Sequence, residues 1–513
     1  MRVVLAPGPE RVVAVRTDDA GTALAEPTVF PDAAAAVRAL EPERPRWVWP
    51  DTAAVYPTVL RAGLRVDRCH DLALTDALLR TRAGLPPAVG PAPVDERPGL
   101  FDTTPAADPD AVLAEYTEQV RLIGSDARLR LLVAAESAGA LAAAEMSHTG
   151  MPFSAAAHRR MLENALGPRV PADTLPVRLR ELADEVSAAF GRRVNPASQP
   201  EVVAAFARDG VELASTRAWL LRDVDHPAVE PLLRYRDLAK LHSANGWAWL
   251  DAWVEGDRFR PVYVPGGVVS GRWASRGGGA LQIPKPVRAS VIAEKDHTLV
   301  IADAGQLEPR ILAAMSGDPL MVAAAGADDM YAPVAAEVFG GDRAKAKVAI
   351  LGVLYGATAG EARALLTLLR TRFPVAVQYV EDAARAGERG DVVHSWLGRA
   401  CPPPDANWWS HGDAHARGRF TRNFVVQATA AEWALSLLAD LRRRLAGSDT
   451  GRLAGSDAEL VFFQHDEVVV HCRDPEQATR DILAATDTAT RLLFGDTAVR
   501  FPMDLAVRDC YAE

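Results

Sequence analysis

The strongest periodic pattern in the chain is helical and lies past its middle. The segment RAKAKVAILGVLYG places Arg343, Lys347, Leu351 and Tyr355 four residues apart. Residues four apart lie on one face of an α-helix, so the segment predicts a helix that ends at Gly356. The stripe on that face carries two cations, an apolar side chain and an aromatic ring, in that order.

Two further segments have the pattern of strands. Leu299–Ala302 is a short apolar run without helical period, which predicts a buried strand ending at Asp303. Gln306–Ala314 then predicts a helix. In Leu460–Cys472, two β-rich runs flank Gln464–Glu467, which predicts a tight hairpin with two carboxylates at its tip.

The remaining patterns divide the chain into regions. Over residues 1–90 short strand-like runs alternate with helical segments, which is an α/β pattern. The Pro-rich stretch Leu85–Pro98 predicts a linker, and residues 125–250 are mostly helical in pattern. The strand-like runs are Val3–Leu5, Val12–Val15 and Arg46–Trp49, and the first helical segment is Ala33–Leu40. We therefore expect an α/β multidomain protein.

Composition and charge narrow the class. A chain of 513 residues exceeds one core, and a hydrophobic fraction of 49% with mixed charges is typical of a soluble globular protein. The net charge of −10 does not exclude a nucleic-acid partner, because such binding needs a local basic groove. Local basic clusters do occur, although a solvated surface is the alternative for each. They are Arg234–Lys240, Arg272–Arg276, Arg343–Lys347 and Arg417–Arg422.

The cysteines and the N-terminus bear on the cellular compartment. Four cysteines are scattered without CxxC pairs, which argues against structural zinc or disulfides and for a reducing cytoplasm. The start, MRVVLAPGPERVV, lacks a basic region followed by a long apolar one, and no run approaches the roughly 18 apolar residues of a membrane span. We expect a cytoplasmic protein without a membrane partner.

The candidate chemistry follows from the three patterned segments. The helix face suits a nucleoside triphosphate, because it offers two cations, an apolar surface and an aromatic ring. The alternative is an ordinary amphipathic helix with a solvent-exposed basic edge. Each acidic residue alone is more often an ordinary turn or cap residue. Together, Asp303 and Asp466 beside a cationic helix form the inventory of a two-metal site, in which two Mg²⁺ lie about 3.5–4 Å apart.

These segments resemble the family A DNA polymerases, the bacterial DNA polymerase I type. DAGQLEPR resembles the family's first palm motif, D-Y-S-Q-I-E-L-R, and the predicted helix matches its fingers motif, R-x3-K-x7-Y-G. QHDEVVVH resembles its last palm motif. Weaker matches are RYRDLAKL, SGRWAS with LQIP, and RFTRNFVVQATAAE. The motifs occur in the family's order over about residues 130–513, which makes the resemblance specific.

The resemblance implies a right-hand polymerase fold that extends a DNA primer on a template, with dNTPs as substrates, as a monomer, in repair or gap filling. The implied catalytic residues are Asp303, Asp466, Lys347 and Arg343. Two Mg²⁺ ions, which Mn²⁺ can replace, would be held by Asp303, Ala304 through its backbone carbonyl, Asp466 and Glu467. The implied dNTP-binding residues are Arg343, Lys347, Leu351, Tyr355, Glu308, Gln306 and Tyr331. The implied primer-template contacts are Arg236, Lys240, Arg272, Gln282, Arg419, Asn423, Gln427, His465 and Gly356.

The chain departs from the family pattern at several of these positions. Ala304 and Leu351 replace aromatic residues, and Tyr331 stands where a histidine is common. Pro309 removes a backbone donor, which is tolerable only in the first turn of a helix. None of these changes removes a metal ligand or a phosphate-binding cation. The resemblance therefore implies an active enzyme with altered substrate selection.

The resemblance also implies domain bounds. An N-terminal 3′–5′ exonuclease-like domain of ribonuclease H type would span 1–124, with a linker at about 85–110. The thumb and the lead-in to the palm would span 125–254, the palm 255–320 and 431–513, and the fingers 321–430. The exonuclease motif D-T-E belongs at the end of the first strand, and VVAVRTDDAG places Arg16 and Asp18 there. A cation repels Mg²⁺, so we expect a remnant without proofreading.

Two alternatives stay open. The first is a catalytically weak, polymerase-like protein that clamps primer-template DNA, which Ala304, Leu351 and the altered exonuclease motif motivate. The second is an enzyme that uses RNA templates or incorporates ribonucleotides. Glu308 argues against the second, because a side chain over the 2′ position of the sugar would clash with a hydroxyl there.

Overall fold

The computed structural model describes residues 1–8, 11–85, 107–171, 173–356, 361–405, 407–447 and 457–512, apart from the side chains of 282 and 361–366. The strands are β1 Arg2–Pro7, β2 Val12–Thr17, β3 Thr28–Phe30, β4 Arg46–Trp49, β5 Arg68–Asp71, β6 Met151–Pro152, β7 Val254–Glu255, β8 Arg258–Phe259, β9 Val262–Val264, β10 Ala274–Arg276, β11 Thr298–Ala304, β12 Ala458–Gln464, β13 Glu467–Cys472 and β14 Met503–Arg508. The predicted linker falls largely on residues 86–106, outside the described residues.

The helices lie between these strands, singly or in runs of several helices. They are α1 Ala33–Leu40, α2 Thr52–Arg61, α3 Leu72–Arg82, α4 Pro109–Ile123, α5 Ala127–Thr149, α6 Ala155–Leu166, α7 Val177–Ala189, α8 Gln199–Arg208, α9 Ala218–Leu221, α10 Val229–Asn245, α11 Trp247–Trp253, α12 Lys285–Arg288, α13 Leu307–Ser316, α14 Pro319–Ala325, α15 Tyr331–Val338, α16 Arg343–Tyr355, α17 Glu361–Arg372, α18 Pro374–Glu388, α19 Trp408–His411, α20 Ala414–Leu445 and α21 Pro475–Phe494. Single 3₁₀ turns occur at Glu41–Glu43 and Ala280–Gln282.

The chain divides into two compact units. Unit 1 comprises Met1–Gly150, Val262–Gly277 and Glu294–Asp509, and unit 2 comprises Met151–Pro261, Gly278–Ala293 and Cys510–Glu513. These bounds cut the chain differently from the expected domains. Helix α5, which was expected to open the thumb, groups with unit 1.

The N-terminal part of unit 1 is a five-stranded sheet in the order β3-β2-β1-β4-β5. The central strand β1 runs antiparallel to β2 and parallel to β4. Each face of the sheet has its own core of buried apolar side chains, with Leu5, Trp47 and Trp49 on one face and Val4 and Val48 on the other. The strands and the helix α1 predicted for residues 1–90 are confirmed.

One placement in this sheet was wrong. Arg16 lies in the second strand, β2, and Asp18 lies just after that strand. The first strand, β1, reads RVVLAP and contains no carboxylate. The error arose because the motif was matched to the second apolar run, Val12–Val15, although the predicted strand Val3–Leu5 precedes it. The expectation that the first strand supplies no metal-binding carboxylate therefore depends on the sequence of β1, and not on Arg16.

The second sheet of unit 1 is antiparallel throughout, in the order β12-β13-β11-β14. The predicted strand before Asp303, the helix after it and the C-terminal hairpin are confirmed as β11, α13 and β12–β13. The long helix α20 is apolar enough to cross a membrane by length and composition, but 83% of its most apolar window is buried inside the protein. It is therefore a core helix.

A buried ionic network joins α5 to α20, to α2 and to the segment that follows α2. Glu145 of α5 accepts hydrogen bonds from Tyr56 at 2.6 Å, from Arg65 at 2.9 Å and from Arg442 of α20 at 2.8 Å. Burial alone would raise the pKa of Glu145, but the two guanidinium groups outweigh it and hold the pKa at about 2. This network explains why α5 belongs with unit 1.

Unit 2 is mainly helical, as the pattern over residues 125–250 predicts. Its main core packs Phe190, Phe206 and Leu232 together, with all three side chains buried. A second, aromatic group packs Trp249 against Phe153 and Phe259, with ring centroids 5.6 and 4.9 Å apart and the rings inclined to each other.

Candidate active site

Carboxylates from three neighbouring strands meet at one end of the antiparallel sheet. Asp303 of β11 pairs directly with Glu467 of β13 on one side and with Asp504 of β14 on the other. Directly paired residues of antiparallel strands point to the same face, so the three side chains stand side by side. The structure thus adds Asp504 to the predicted set.

Asp466 reaches this group through the hairpin turn. His465 adopts a left-handed backbone conformation, φ +60°, which makes the turn between β12 and β13 tight. The carbonyl oxygen of Asp466 accepts the backbone N–H of Ala304 at 3.1 Å. This bond holds the turn against the end of β11, so that Asp466 joins the carboxylates on the strands.

The carboxylates of the cluster repel one another, and too few cations lie nearby to balance their charge. Burial raises the pKa of Asp303 to about 7, and the charges of Asp466, Glu467 and Asp504 act in the same direction. Burial also raises the pKa of Asp466 to about 6, against the opposing effect of Arg272. A divalent cation would relieve this repulsion, and carboxylate oxygens are the ligands that Mg²⁺ and Mn²⁺ prefer. The donor set therefore fits the expected cofactor.

Glu308 links the sheet region to helix α16. Its Oε1 accepts a hydrogen bond from the guanidinium of Arg272, and its Oε2 accepts one from the hydroxyl of Tyr355 at 2.7 Å. Glu308 is thus held from two sides, while Tyr355 stays 41% exposed. Burial and the charge of Arg272 both lower the pKa of His465 in the adjoining turn. The predicted helix α16 is confirmed, and Gly356 ends it with φ +67°.

A second acidic residue that sequence reasoning missed, Asp329, organises the start of α16. Its carboxylate accepts hydrogen bonds from Arg343 at 2.6 Å and from the side-chain amide of Gln306 at 2.8 Å. The guanidinium of Arg343 also lies 5.5 Å from the ring centre of Tyr331, which is buried. The ring of Tyr331 therefore packs against the guanidinium of Arg343, a contact that the sequence spacing does not reveal.

The rest of the α16 stripe is open to solvent or half-buried. Lys347 is exposed, and Leu351, one turn further on, is half-buried. Arg422 of α20 donates to the carbonyl of Val353 at 2.6 Å, which anchors the buried side of the helix. The stripe is thereby left as the accessible side.

The predicted DNA contacts on α20 lie four residues apart and so share one face. Arg419 is exposed, whereas Asn423 and Gln427 are half-buried. A Cβ at Gly356 would meet the side chain of Arg419 at 3.5 Å, which brings the end of α16 beside this face.

The predicted contacts in unit 2 are arranged differently. Arg236 of α10 donates to the carbonyl and to the hydroxyl of Thr216, the latter at 2.9 Å, so its guanidinium is engaged within the unit. Lys240, one turn later, is exposed. The backbone of Gln282 ends a 3₁₀ turn, and its side chain lies outside the described residues.

A histidine group lies at the opposite end of β11 and β13. Ligand atoms of Glu294, His297 and His471 lie within 4.8 Å of one another. The two imidazole rings are stacked 4.4 Å apart at 13°, and His471 Nε2 already accepts the backbone N–H of Glu294 at 3.2 Å. Parallel rings direct their lone pairs past each other, so this arrangement does not close around one ion.

The class of fold is defined by comparison with solved structures. The chain aligns over its whole length, and over 95% of the other chain, with the POL domain of Pol1 from M. smegmatis, solved in complex with DNA primer-template and dNTP, at a TM-score of 0.73 and 17% identity. The protein therefore has the right-hand polymerase fold, with the antiparallel sheet as its palm.

The family follows from the sequence. The family model "DNA polymerase family A" matches residues 172–507, and the chain belongs to that family. Similar relatives are DNA polymerase I of Chloroflexus aurantiacus, 27% identical over 51% of this chain, and DNA polymerase I of Deinococcus radiodurans, 26% identical over 57%. The matches cover 30% and 34% of these relatives, so the chain spans about a third of their length.

Proposed function

We propose that this protein is a DNA-directed DNA polymerase that adds deoxynucleotides to a primer 3′-hydroxyl. The observation that carries this proposal is the carboxylate group formed by Asp303, Asp466 and Glu467, which lies in the same unit as a helix with an exposed cationic stripe. Membership of family A and a fold shared with a domain solved with primer-template and dNTP support it.

Asp303 and Asp466 would hold two divalent cations, Mg²⁺ or in its place Mn²⁺, with Glu467 and the Ala304 carbonyl completing the set. When bound, the cations lower the pKa of the attacking hydroxyl and neutralise charge on the phosphates. The chain's own contribution is rigidity. Strand β11, which pairs on both sides, fixes Asp303, and the tight turn, bonded to Ala304, fixes Asp466.

Arg343 and Lys347 would bind the triphosphate, and Lys347 would protonate the leaving pyrophosphate. Arg343 has to exchange its ion pair with Asp329 for the phosphates. The Arg343 side chain is 55% exposed, and ion pairs at the surface stabilise a protein little, so the exchange costs little. Asp329 would then hold Arg343 ready until the substrate arrives.

Glu308 would exclude a ribose 2′-hydroxyl, and Leu351 would contact the sugar of the incoming nucleotide. Gln306 would act in the dNTP site by holding Asp329, to which it donates a hydrogen bond. Tyr331 would act there by packing against Arg343. Tyr355 and Gly356 would line the position of the template base. Primer-template contacts would come from Arg236, Lys240, Arg272, Gln282, Arg419, Asn423, Gln427 and His465.

The cellular part of the proposal is a cytoplasmic, nucleoid-associated monomer that acts in repair or gap filling without proofreading. The carboxylate-free strand β1 supports the lack of proofreading, because a metal-dependent exonuclease needs carboxylates at its ions. Incubation with 3′-labelled primer and Mg²⁺ or Mn²⁺, without dNTPs, should leave the primer intact. Shortening that follows the protein through purification would refute this part.

The central experiment is primer extension with Asp466→Ala. Extension should fall by several orders of magnitude while folding and DNA binding persist, because the lost carboxylate holds the cations that stabilise the transition state. Asp496→Ala, the same change at an exposed position of the same unit, is the matched control. Unchanged extension by Asp466→Ala would refute the site assignment. If the wild-type protein binds primer-template DNA but does not extend the primer, the alternative of a catalytically weak protein that clamps this DNA would be favoured.

A further inference from the structure

A polar cavity lies in the N-terminal part of unit 1, away from the carboxylate cluster. Its volume is about 310 Å³, and it opens at the start of the paired strands β1 and β4, where Arg2 and Arg46 stand directly opposite each other. Helix α4 closes one side with Val120 and Ile123, and α5 closes another with Val133. The segment matched to the exonuclease motif ends beside this cavity, because Thr17 pairs with Arg2 and Asp19 lines it. The family's motif belongs at the other end of the first strand, so the cavity is not the place of an exonuclease site.

The lining of this cavity is strongly basic. Arg2, Arg46 and Arg130 all line it, against one carboxylate, that of Asp19. Arg2 forms an ion pair with Asp19. Arg46 donates to the carbonyl of Cys69 at 2.9 Å, and Arg130 donates to a backbone carbonyl as well. Carbonyl oxygens carry no net charge, so two positive charges on the described lining lack a carboxylate partner.

The same cavity contains a buried hydroxyl, that of Tyr116, without a hydrogen-bond partner among the described residues. The Tyr116 side chain is 1% exposed. Buried hydroxyls without partners are rare, because an unpaired buried hydroxyl loses its hydrogen bonds to water and gains none in return. Burial raises the pKa of Tyr116, whereas the charges of Arg2 and Arg46 lower it, so both guanidinium groups act on the phenol oxygen.

The remaining polar group of the lining adds no charge. Burial lowers the pKa of His70 to about 4, so its imidazole is neutral at physiological pH. It is engaged with the side-chain oxygen of Gln119 at 2.8 Å and packs edge-on against the ring of Tyr116, with centroids 5.2 Å apart. The His70 ring therefore fixes the orientation of Tyr116.

We propose that this cavity binds a phosphomonoester, with the phosphate dianion between Arg46 and Arg130 and accepting the hydroxyl of Tyr116. Guanidinium groups match phosphate oxygens in geometry as well as in charge. The apolar side formed by Val120, Ile123 and Val133 would contact a small organic group on that phosphate, of the size of a nucleoside. The site lies outside the residues matched by the family model and does not depend on polymerase activity.

The test is calorimetric titration of the whole chain with inorganic phosphate, deoxyadenosine monophosphate and deoxyadenosine. The two phosphates should bind and the nucleoside should not. Tyr116→Phe should weaken phosphate binding about tenfold or more, the usual size of a hydrogen bond to a charged group. The same variant should not lower the melting temperature without ligand, since its hydroxyl loses no protein partner. Asp19→Asn should tighten binding, because it removes the competing anion from Arg2.

Controls separate this site from the polymerase site. Arg68→Gln removes an arginine of the same sheet that donates to the carbonyl of Arg44 and does not line the cavity, so it should leave affinity unchanged. Arg46→Gln should abolish binding. The proposal is overturned if wild-type protein binds neither phosphate, if Tyr116→Phe and Arg46→Gln bind as wild type does, or if binding is lost instead in Lys347→Ala.

Discussion

Tyr355→Phe tests how the protein holds Glu308, the residue proposed to exclude ribonucleotides. The hydroxyl of Tyr355 donates to Glu308 at 2.7 Å, and Arg272 donates to the other carboxylate oxygen. Removing the hydroxyl leaves Glu308 with one anchor, so its carboxylate can turn away from the sugar position. We expect more frequent ribonucleotide incorporation, with the chemistry of deoxynucleotide addition nearly intact.

The magnitude follows from the type and exposure of this bond. A hydrogen bond to a charged group contributes about 1.5–3 kcal/mol, and the 41% exposure of Tyr355 favours the lower end. About 1.4 kcal/mol corresponds to a tenfold change in an equilibrium constant. The ribo-to-deoxy ratio of kcat/KM should therefore rise by up to about tenfold in Tyr355→Phe. It should rise further in Glu308→Ala, which removes the whole barrier.

The assay is single-nucleotide incorporation with matched rNTP and dNTP for the wild type, both single variants and the double variant. The double variant should behave like Glu308→Ala, because Tyr355 acts on the ratio only through Glu308. Tyr379→Phe, the same change on α18, is the control. Additive effects of the two substitutions, or a ratio unchanged in Tyr355→Phe, would refute the reasoning.

Three further predictions address nucleotide selection, cation binding and stability. Leu351→Phe should change the dideoxy-to-deoxy incorporation ratio and leave the ribo-to-deoxy ratio nearly fixed in competitive primer extension, and a parallel change in both would contradict the placement of α16. Because the pKa values of Asp303 and Asp466 are raised to about 7 and 6, protonation stabilises the metal-free fold at low pH, and this stabilisation is lost as the pH rises through 6–7. The gain in melting temperature on adding Mg²⁺ should therefore be larger at pH 8 than at pH 5, and equal gains would count against the cluster as a cation site. Glu145→Gln leaves the buried Arg442 and the half-buried Arg65 without their carboxylate and should lower the free energy of unfolding by about 3–5 kcal/mol in denaturant titration, whereas the exposed Glu118→Gln should change it little.

Local patterns in the sequence determined the elements that carry the chemistry. The four-residue spacing from Arg343 to Tyr355 predicted α16 and its accessible stripe, and Gly356 ended the helix as expected. The apolar runs around Asp303 and Asp466 predicted β11 and the hairpin. These predictions succeeded because helix and strand periods are set by neighbours within a few residues of each other.

Only the tertiary structure decided which distant residues meet. Asp504 joins Asp303 through strand pairing, and Asp329 holds Arg343 through a contact across a loop, although neither position stands out in the sequence. Strand pairing likewise placed β1, and not the strand that carries Arg16, at the centre of its sheet. Pairing between strands depends on which faces become buried together, and a one-residue shift turns every side chain to the other face. That choice is made by the whole core and not by any local segment.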